Sequence, residues 1–315
     1  MPSSQAKIRQ IDQSTFPPSS QSSVVEGEVT TTVRVVRLLI TGLVLAAVVA
    51  GIVRGLTTPD SGGGAVVSGL FLTQVALAAV LILLGGFVEG LGFGLSLGTN
   101  WPYTSNIWVL LIQGDPEAAH RIVATLVGLI GLVLVTLAPT SATINGLILI
   151  VLTAALGMGT LHVLSGRLPS LVHGVHGLLA YGVFVSYLMT IYQPGVNFWS
   201  YLSDTPTLCV VLFAVLLGGM TTGHRGFGEP IGAFSWPQRA PQVVMIIHLF
   251  AALMAVAALG STMPDYPVAF YLAVAQVVVG FLLFHAVNLK PRTPGVLVAV
   301  HQSVVLAITV AIVAA

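Results

Sequence analysis

Eight histidines, at positions 120, 162, 173, 176, 224, 248, 285 and 301, all stand inside or at the ends of long apolar runs. Ionisable groups in such runs are costly and usually face a bundle interior, where they work. Histidine there can ligate a metal or carry a proton. The stretch EAAHR (117–121) adds Glu117 and Arg121 to His120 within five residues, in a chain that is only 7% charged. Glu117 lies one helical turn before His120, on the same side. It reads either as an acid beside a working imidazole or as a carboxylate favouring the dipole of a helix that Asp115 and Pro116 begin. No HExxH-type spacing is present, and the single cysteine, Cys209, excludes a cysteine-cluster metal site and an internal disulfide.

The elements that carry these residues follow from composition. The 315 residues are 56% hydrophobic, with 11 Lys+Arg against 10 Asp+Glu, and the mean hydropathy is +0.98. So much apolar surface needs lipid as its solvent. A net charge of +1 gives no case for nucleic acid. In hydrocarbon only helices or closed barrels satisfy the backbone. The apolar runs here do not alternate with period two, which selects helices. Nine spans of about 20 residues each are expected, at 35–56, 66–90, 118–138, 142–164, 170–192, 206–222, 241–260, 266–288 and 295–314. Residues 1–32, rich in Ser, Gln, Thr and Pro, read as a flexible tail. The chain is therefore expected to be a multi-pass protein of the cell membrane.

An internal repeat organises the spans. LLGGFVEGLGFGLSLGTNWP (83–102) and LLGGMTTGHRGFGEPIGAFSWP (216–237) share Leu-Leu-Gly-Gly, a Gly-rich polar stretch and Trp-Pro. His120 and His248 open the next helix of each half, His162 and His285 end the third, and His176 and His301 lie in the fourth. Offsets are 133 residues for Gly85 to Gly218, 128 for the first histidine pair, 123 for the second and 125 for the third. The pattern predicts an all-α membrane protein of two pseudo-repeated four-helix bundles, 66–192 and 206–314, after one extra transmembrane helix at 33–57.

In a four-helix bundle the second and fourth helices face each other diagonally. His120 with His176, and His248 with His301, are thus placed to supply axial ligands to the two faces of a haem. Arg121, Arg225 and Arg239 are candidate partners for the propionates; their alternative is to snorkel to headgroups. His173 shares a helical face with His176 and competes with it as ligand. His162 and His285 read as supporting residues without an obvious partner. His224 lies in a Gly-rich stretch and faces solvent or a propionate. Met245 stands in the second half where Glu117 stands in the first, so the two sites are expected to do different jobs.

These segments, in order, resemble the haem A synthase family. EAAHRIVATLVGLIGLVL looks like that family's E-x-x-H-R helix opening, and GGFVEGLGFGLSLGTNWP is similar to its Gly-rich loop. LVHGVHGLLAYGVF and LVAVHQSVVLAITV resemble its other ligand helices. The stretch 90–116 lacks the cysteine pair often found there, and Glu89 stands where a basic residue is common. The resemblance implies oxidation of the haem O methyl group to a formyl group. It implies substrate haem O near His120 and His176, retained haem b on His248 and His301, and Glu117 as an acid needed for activity. Haem O synthase and a terminal oxidase become candidate partners; the electron donor is not specified. It also places the haem-bearing loops outside the cell, whereas the positive-inside rule counts Arg121, Arg167, Arg225, Arg239, Lys290 and Arg292 toward a cytoplasmic side. The alternatives are a non-catalytic di-haem b cytochrome subunit and a repeat-built transporter.

Overall fold

The structure, a computed structural model, describes residues 23–57, 64–226, 228–233 and 236–315. Among them are eleven helices and no strand: α1 (Ser23–Thr57), α2 (Gly64–Gly90), α3 (Ile107–Gln113), α4 (Pro116–Leu137), α5 (Ser141–Leu164), α6 (Leu171–Tyr192), α7 (Phe198–Asp204), α8 (Pro206–Arg225), α9 (Ala240–Ser261), α10 (Pro267–Leu289) and α11 (Leu297–Val313). Eight are long and apolar enough to cross a membrane. The ninth expected span, α11, has 17 residues, about 25 Å of helix. Pro291, Pro294 and Gly295 delay its start. The chain is an all-α, multi-pass integral membrane protein.

Two differences from the sequence expectation concern helix bounds. α1 begins at Ser23, inside the expected tail, because the sequence holds no proline between Pro18 and Pro59 and the helix runs on without a break. Residues 1–22 of that tail lie outside the described residues. α8 runs on to Arg225, so His224 lies in its last turn and not in a loop. The short helices α3 and α7 were not expected from hydropathy, since neither is long enough to register as a span.

Helix starts follow local chemistry. Asp115 caps α4, its Oδ1 accepting from the N–H groups of Glu117 (2.8 Å) and Ala118 (3.0 Å). Thr140 and Thr143 form a reciprocal cap on α5. Pro116, Pro206, Pro241 and Pro267 occupy first-turn positions, where a missing N–H costs nothing.

Packing groups α2, α4, α5 and α6 into one ring and α8, α9, α10 and α11 into another, with α1 along the outside of α2. The rings meet through α2 against α11 and α6 against α8. These contacts are equivalent under the repeat, and both use a Gly-x-x-x-Gly stripe that lets helices approach closely. A Cβ at Gly86 would lie 2.8 Å from Ala299 Cα on α11, and one at Gly90 would overlap the Gly295 carbonyl just before α11. A Cβ at Gly219 would lie 2.9 Å from Gly174 Cα, and one at Gly223 3.0 Å from Ser170 Cα on α6.

A buried ion pair ties the rings together at the same end. Arg225 Nη1 meets Glu89 Oε1 at 3.3 Å, and Thr222 Oγ1 donates to Glu89 Oε2 at 3.1 Å. Glu89 and Thr222 are 133 residues apart, the Gly85–Gly218 offset, so equivalent positions meet between the rings.

Candidate functional site

Chain direction places all eight histidines toward one end of the molecule: the N-terminal halves of α4, α6, α9 and α11 and the C-terminal ends of α5, α8 and α10. His248 and His301 face each other with ring centroids 6.3 Å apart and planes tilted by 58°. Two metal–nitrogen bonds of about 2 Å, plus the imidazole radius on each side, put such centroids roughly 6 Å apart. The pair therefore stands at the separation a bis-imidazole metal site requires. His120 and His176 are within electrostatic reach of each other in the first ring. All four keep part of their surface accessible although they stand within the bundles. Among the described residues no group of three or more His, Cys, Asp or Glu converges as a metal cluster would.

Each of these four histidines rests against a glycine of a neighbouring helix. His120 Cε1 lies 3.7 Å from where a Cβ of Gly85 would be, and His176 Cε1 3.4 Å from that of Gly157. His248 and His301 stand at 3.3 Å from Gly218 and Gly280. The missing side chain bares the helix backbone one turn earlier. His176 Nδ1 reaches the carbonyl of Thr153 (3.0 Å), four residues before Gly157. His248 Nδ1 reaches that of Ala214 (2.9 Å), four residues before Gly218. A carbonyl only accepts, so Nδ1 carries the proton and Nε2 keeps its lone pair for a ligand. His120 and His301 sit in equivalent notches: His120 meets the backbone of Leu81, four residues before Gly85, and His301 Nδ1 is buried without a closed hydrogen bond.

The structure separates His173 from His176. His173 is packed at Gly223 of α8, on the contact between the rings, while His176 occupies the Gly157 notch. Under the repeat His173 corresponds to Val298, which packs on Gly90 in the same way. His285 is exposed and lies edge-on to Phe281 and Phe284.

Glu117 is buried, 4% exposed, and both carboxylate oxygens are occupied. Oε2 accepts from Ser96 Oγ (2.9 Å) and from the Leu97 N–H (3.1 Å). Oε1 accepts from Arg121 Nη2 at 2.5 Å. Arg121 Nη1 donates in turn to the carbonyls of Asn100 and Pro102. Glu117 and Arg121 together clamp the 91–115 connection over the mouth of the first ring. The equivalent connection of the second ring, 226–239, is shorter and has no helix among its described residues. Asp115, not Glu117, makes the capping bonds of α4. Arg225 is committed to Glu89, the Pro291 carbonyl (2.7 Å) and the Glu229 carbonyl (3.1 Å). Arg239 donates to the Ile231 carbonyl (3.1 Å). Arg167, Lys290 and Arg292 are exposed at this end and form no ion pair among the described residues.

The notch glycines Gly157 and Gly280 escape sequence inspection, although their spacing of 123 residues equals that of His162 and His285. Fold and site together describe a two-ring membrane protein with a close His248–His301 pair in one ring and His120 and His176 within electrostatic reach in the other. No protein-family model, no curated protein and no solved structure matches the chain.

Proposed function

We propose that each histidine pair holds a haem: retained haem b between His248 and His301, and substrate haem O between His120 and His176. We further propose that the chain oxidises the haem O methyl group to the formyl group of haem A, in the manner of the haem A synthases it resembles; an oxygen atom at the oxidation level of water is added while four protons and four electrons leave, the electrons passing to an acceptor outside the chain. The observation that carries the haem reading is the 6.3 Å separation of His248 and His301, supported by the glycine notch repeated at all four histidines.

Haem b, when bound, supplies a one-electron carrier. The chain's own residues do the rest. The Nδ1 tethers of His176 and His248 fix the tautomer, hold the ring plane and raise the basicity of Nε2. The Glu117–Arg121 clamp holds the 91–115 connection across the first ring's mouth and keeps water from it. Because Arg121 and Arg225 are spent on carbonyls and carboxylates, the exposed Arg167, Lys290 and Arg292 are the better propionate partners. Haem O would come from a haem O synthase, and the product would go to a terminal oxidase.

A second reading, a non-catalytic di-haem b cytochrome, draws on one observation. Both oxygens of the Glu117 carboxylate are engaged by the loop and by Arg121, which gives the residue a structural task of its own. Co-expression with a source of haem O, followed by extraction of the pigments, separates the two. Haem A in the extract supports the enzyme. A haem-loaded protein that yields only haem b supports the cytochrome.

A further inference from the structure

The connection that covers the first ring has an outer surface unlike that of a loop in water. From Leu91 to Gly114 it holds no Asp, Glu, Lys or Arg, whereas Glu229 and Arg239 stand in the equivalent connection of the second ring. Its helix α3, IWVLLIQ, is apolar on every side. Ile107, Leu110 and Leu111 belong to a cluster with Leu97, Ala118 and Ile122. Trp108, Val109 and Ile112 make the other face and are 63%, 54% and 72% exposed. Trp101 and Tyr103 of the same connection are also exposed. A helix that is hydrophobic all round belongs in a core or in lipid. A contiguous exposed apolar patch marks a docking surface.

The extra helix α1 sets the level of this patch in the bilayer. Arg34 and Arg54 stand at opposite ends of its apolar run, about 30 Å apart along the helix, which is the thickness of a hydrocarbon core. Arg34 thus marks one boundary, and Arg37, the next turn of α1, lies about 5 Å inside it. Arg37 Nη1 donates to the Ile112 carbonyl at 2.6 Å. A Cβ on Gly114 would lie 3.2 Å from Val33 Cγ1 and 3.3 Å from Arg37 Cδ. α3 is therefore held against α1 at the boundary layer.

The end of α3 is closed as a water-poor layer requires. The Asp115 N–H donates to the Leu110 carbonyl (3.0 Å), the Gly114 N–H to that of Leu111 (3.0 Å), and Arg37 takes that of Ile112. Lipid offers no hydrogen bond to an open carbonyl, so each needs a partner from the protein.

We propose that α3 is a membrane-interface anchor, whose Trp108, Val109 and Ile112 dock among phospholipid acyl chains just beneath the headgroups at the histidine end. Tryptophan suits this depth, with an apolar ring system and one N–H for the wet side. Through the bonds of Glu117 and Arg121 to Ser96, Leu97, Asn100 and Pro102, the anchor seats the cover of the first ring at the lipid boundary. The second ring has no such helix among the described residues of its connection. The anchor does not depend on what the histidines bind.

The experiment uses the full chain in phosphatidylcholine nanodiscs, with Cys209→Ser removing the single cysteine. Spin labels are attached through Val109→Cys or Ile112→Cys. Val278→Cys, exposed on α10, is the lipid reference, and Trp236→Cys, exposed in the second ring's connection, is the aqueous one. Power saturation compares access of oxygen, which concentrates in lipid, with access of a water-soluble nickel chelate. The labels at 109 and 112 should favour oxygen over nickel severalfold more than the label at 236 does, and less than the label at 278. Nickel access equal to that at 236 would put α3 in water, and protection from both reagents would put a second protein surface over it; either result overturns the proposal. Should a labelled variant not fold, quenching of tryptophan fluorescence by brominated phosphatidylcholine decides. Trp108→Phe should lower the quenched fraction relative to the wild type, and an unchanged fraction would overturn the proposal.

Discussion

Gly85 and Gly86 are adjacent, yet replacing each by alanine should have opposite effects. A methyl on Gly85 meets its nearest neighbour, His120 Cε1, at 3.7 Å, an ordinary van der Waals distance. Alanine is favoured over glycine within a helix by about 1 kcal/mol, so Gly85→Ala should be neutral or stabilising. A methyl on Gly86 would overlap Gln302 Oε1 and lie 2.8 Å from Ala299 Cα and 3.1 Å from Ala299 N. Gln302 can swing away, but the backbone of α11 cannot. Overpacking of this kind costs about 1–3 kcal/mol. The propensity gain is common to both and cancels, so the variants should differ by about 1–3 kcal/mol, which at roughly 2–4 °C per kcal/mol separates their melting points by about 2–12 °C. A thermal melt of each protein in detergent measures this directly. Equal melting points, or a Gly86→Ala protein more stable than Gly85→Ala, would refute the close approach of α2 to α11.

Three further outcomes follow from the same contacts. Gly218→Ala brings a methyl to 3.3 Å from His248 Cε1, against 3.7 Å at Gly85, so it should disturb haem binding in the second ring more than Gly85→Ala does in the first, as read by the position and amplitude of the Soret band. Arg225→Ala leaves Glu89 without its buried partner and should destabilise by about 3–5 kcal/mol, whereas Arg225→Ala combined with Glu89→Gln should recover much of that loss in a chemical-denaturation series. Glu117→Ala releases Ser96, Leu97 and Arg121 together, so limited proteolysis should cut within 91–115 several times faster than in the wild type; an unchanged cleavage rate would show that the carboxylate is not the clamp.

The histidine landmarks, the helix pattern and the lipid environment were legible because they recur with a fixed period or offset. What stayed hidden depends on partners far along the chain. Arg225 reads as a propionate ligand until Glu89, 136 residues away, is seen to hold it. Glu117 reads as a helix-start or haem-edge acid until the Ser96–Leu97 backbone folds onto it. The choice between His173 and His176 turns on α8, whose Gly223 packs on one, and on α5, whose Gly157 cradles the other. Gly157 and Gly280 are two of 34 glycines. In a membrane helix a glycine gives no signal until the side chain that fills its notch is known.

The most direct test of the haem-binding proposal is a pyridine haemochrome spectrum of the purified full-length protein beside its His248→Ala and His176→Ala variants. The expected result is haem b in the wild type, lost on changing His248 and retained on changing His176, with haem O or haem A present only while His176 is intact. A wild-type protein without Soret absorbance, or one whose pigment survives both changes undiminished, would contradict it.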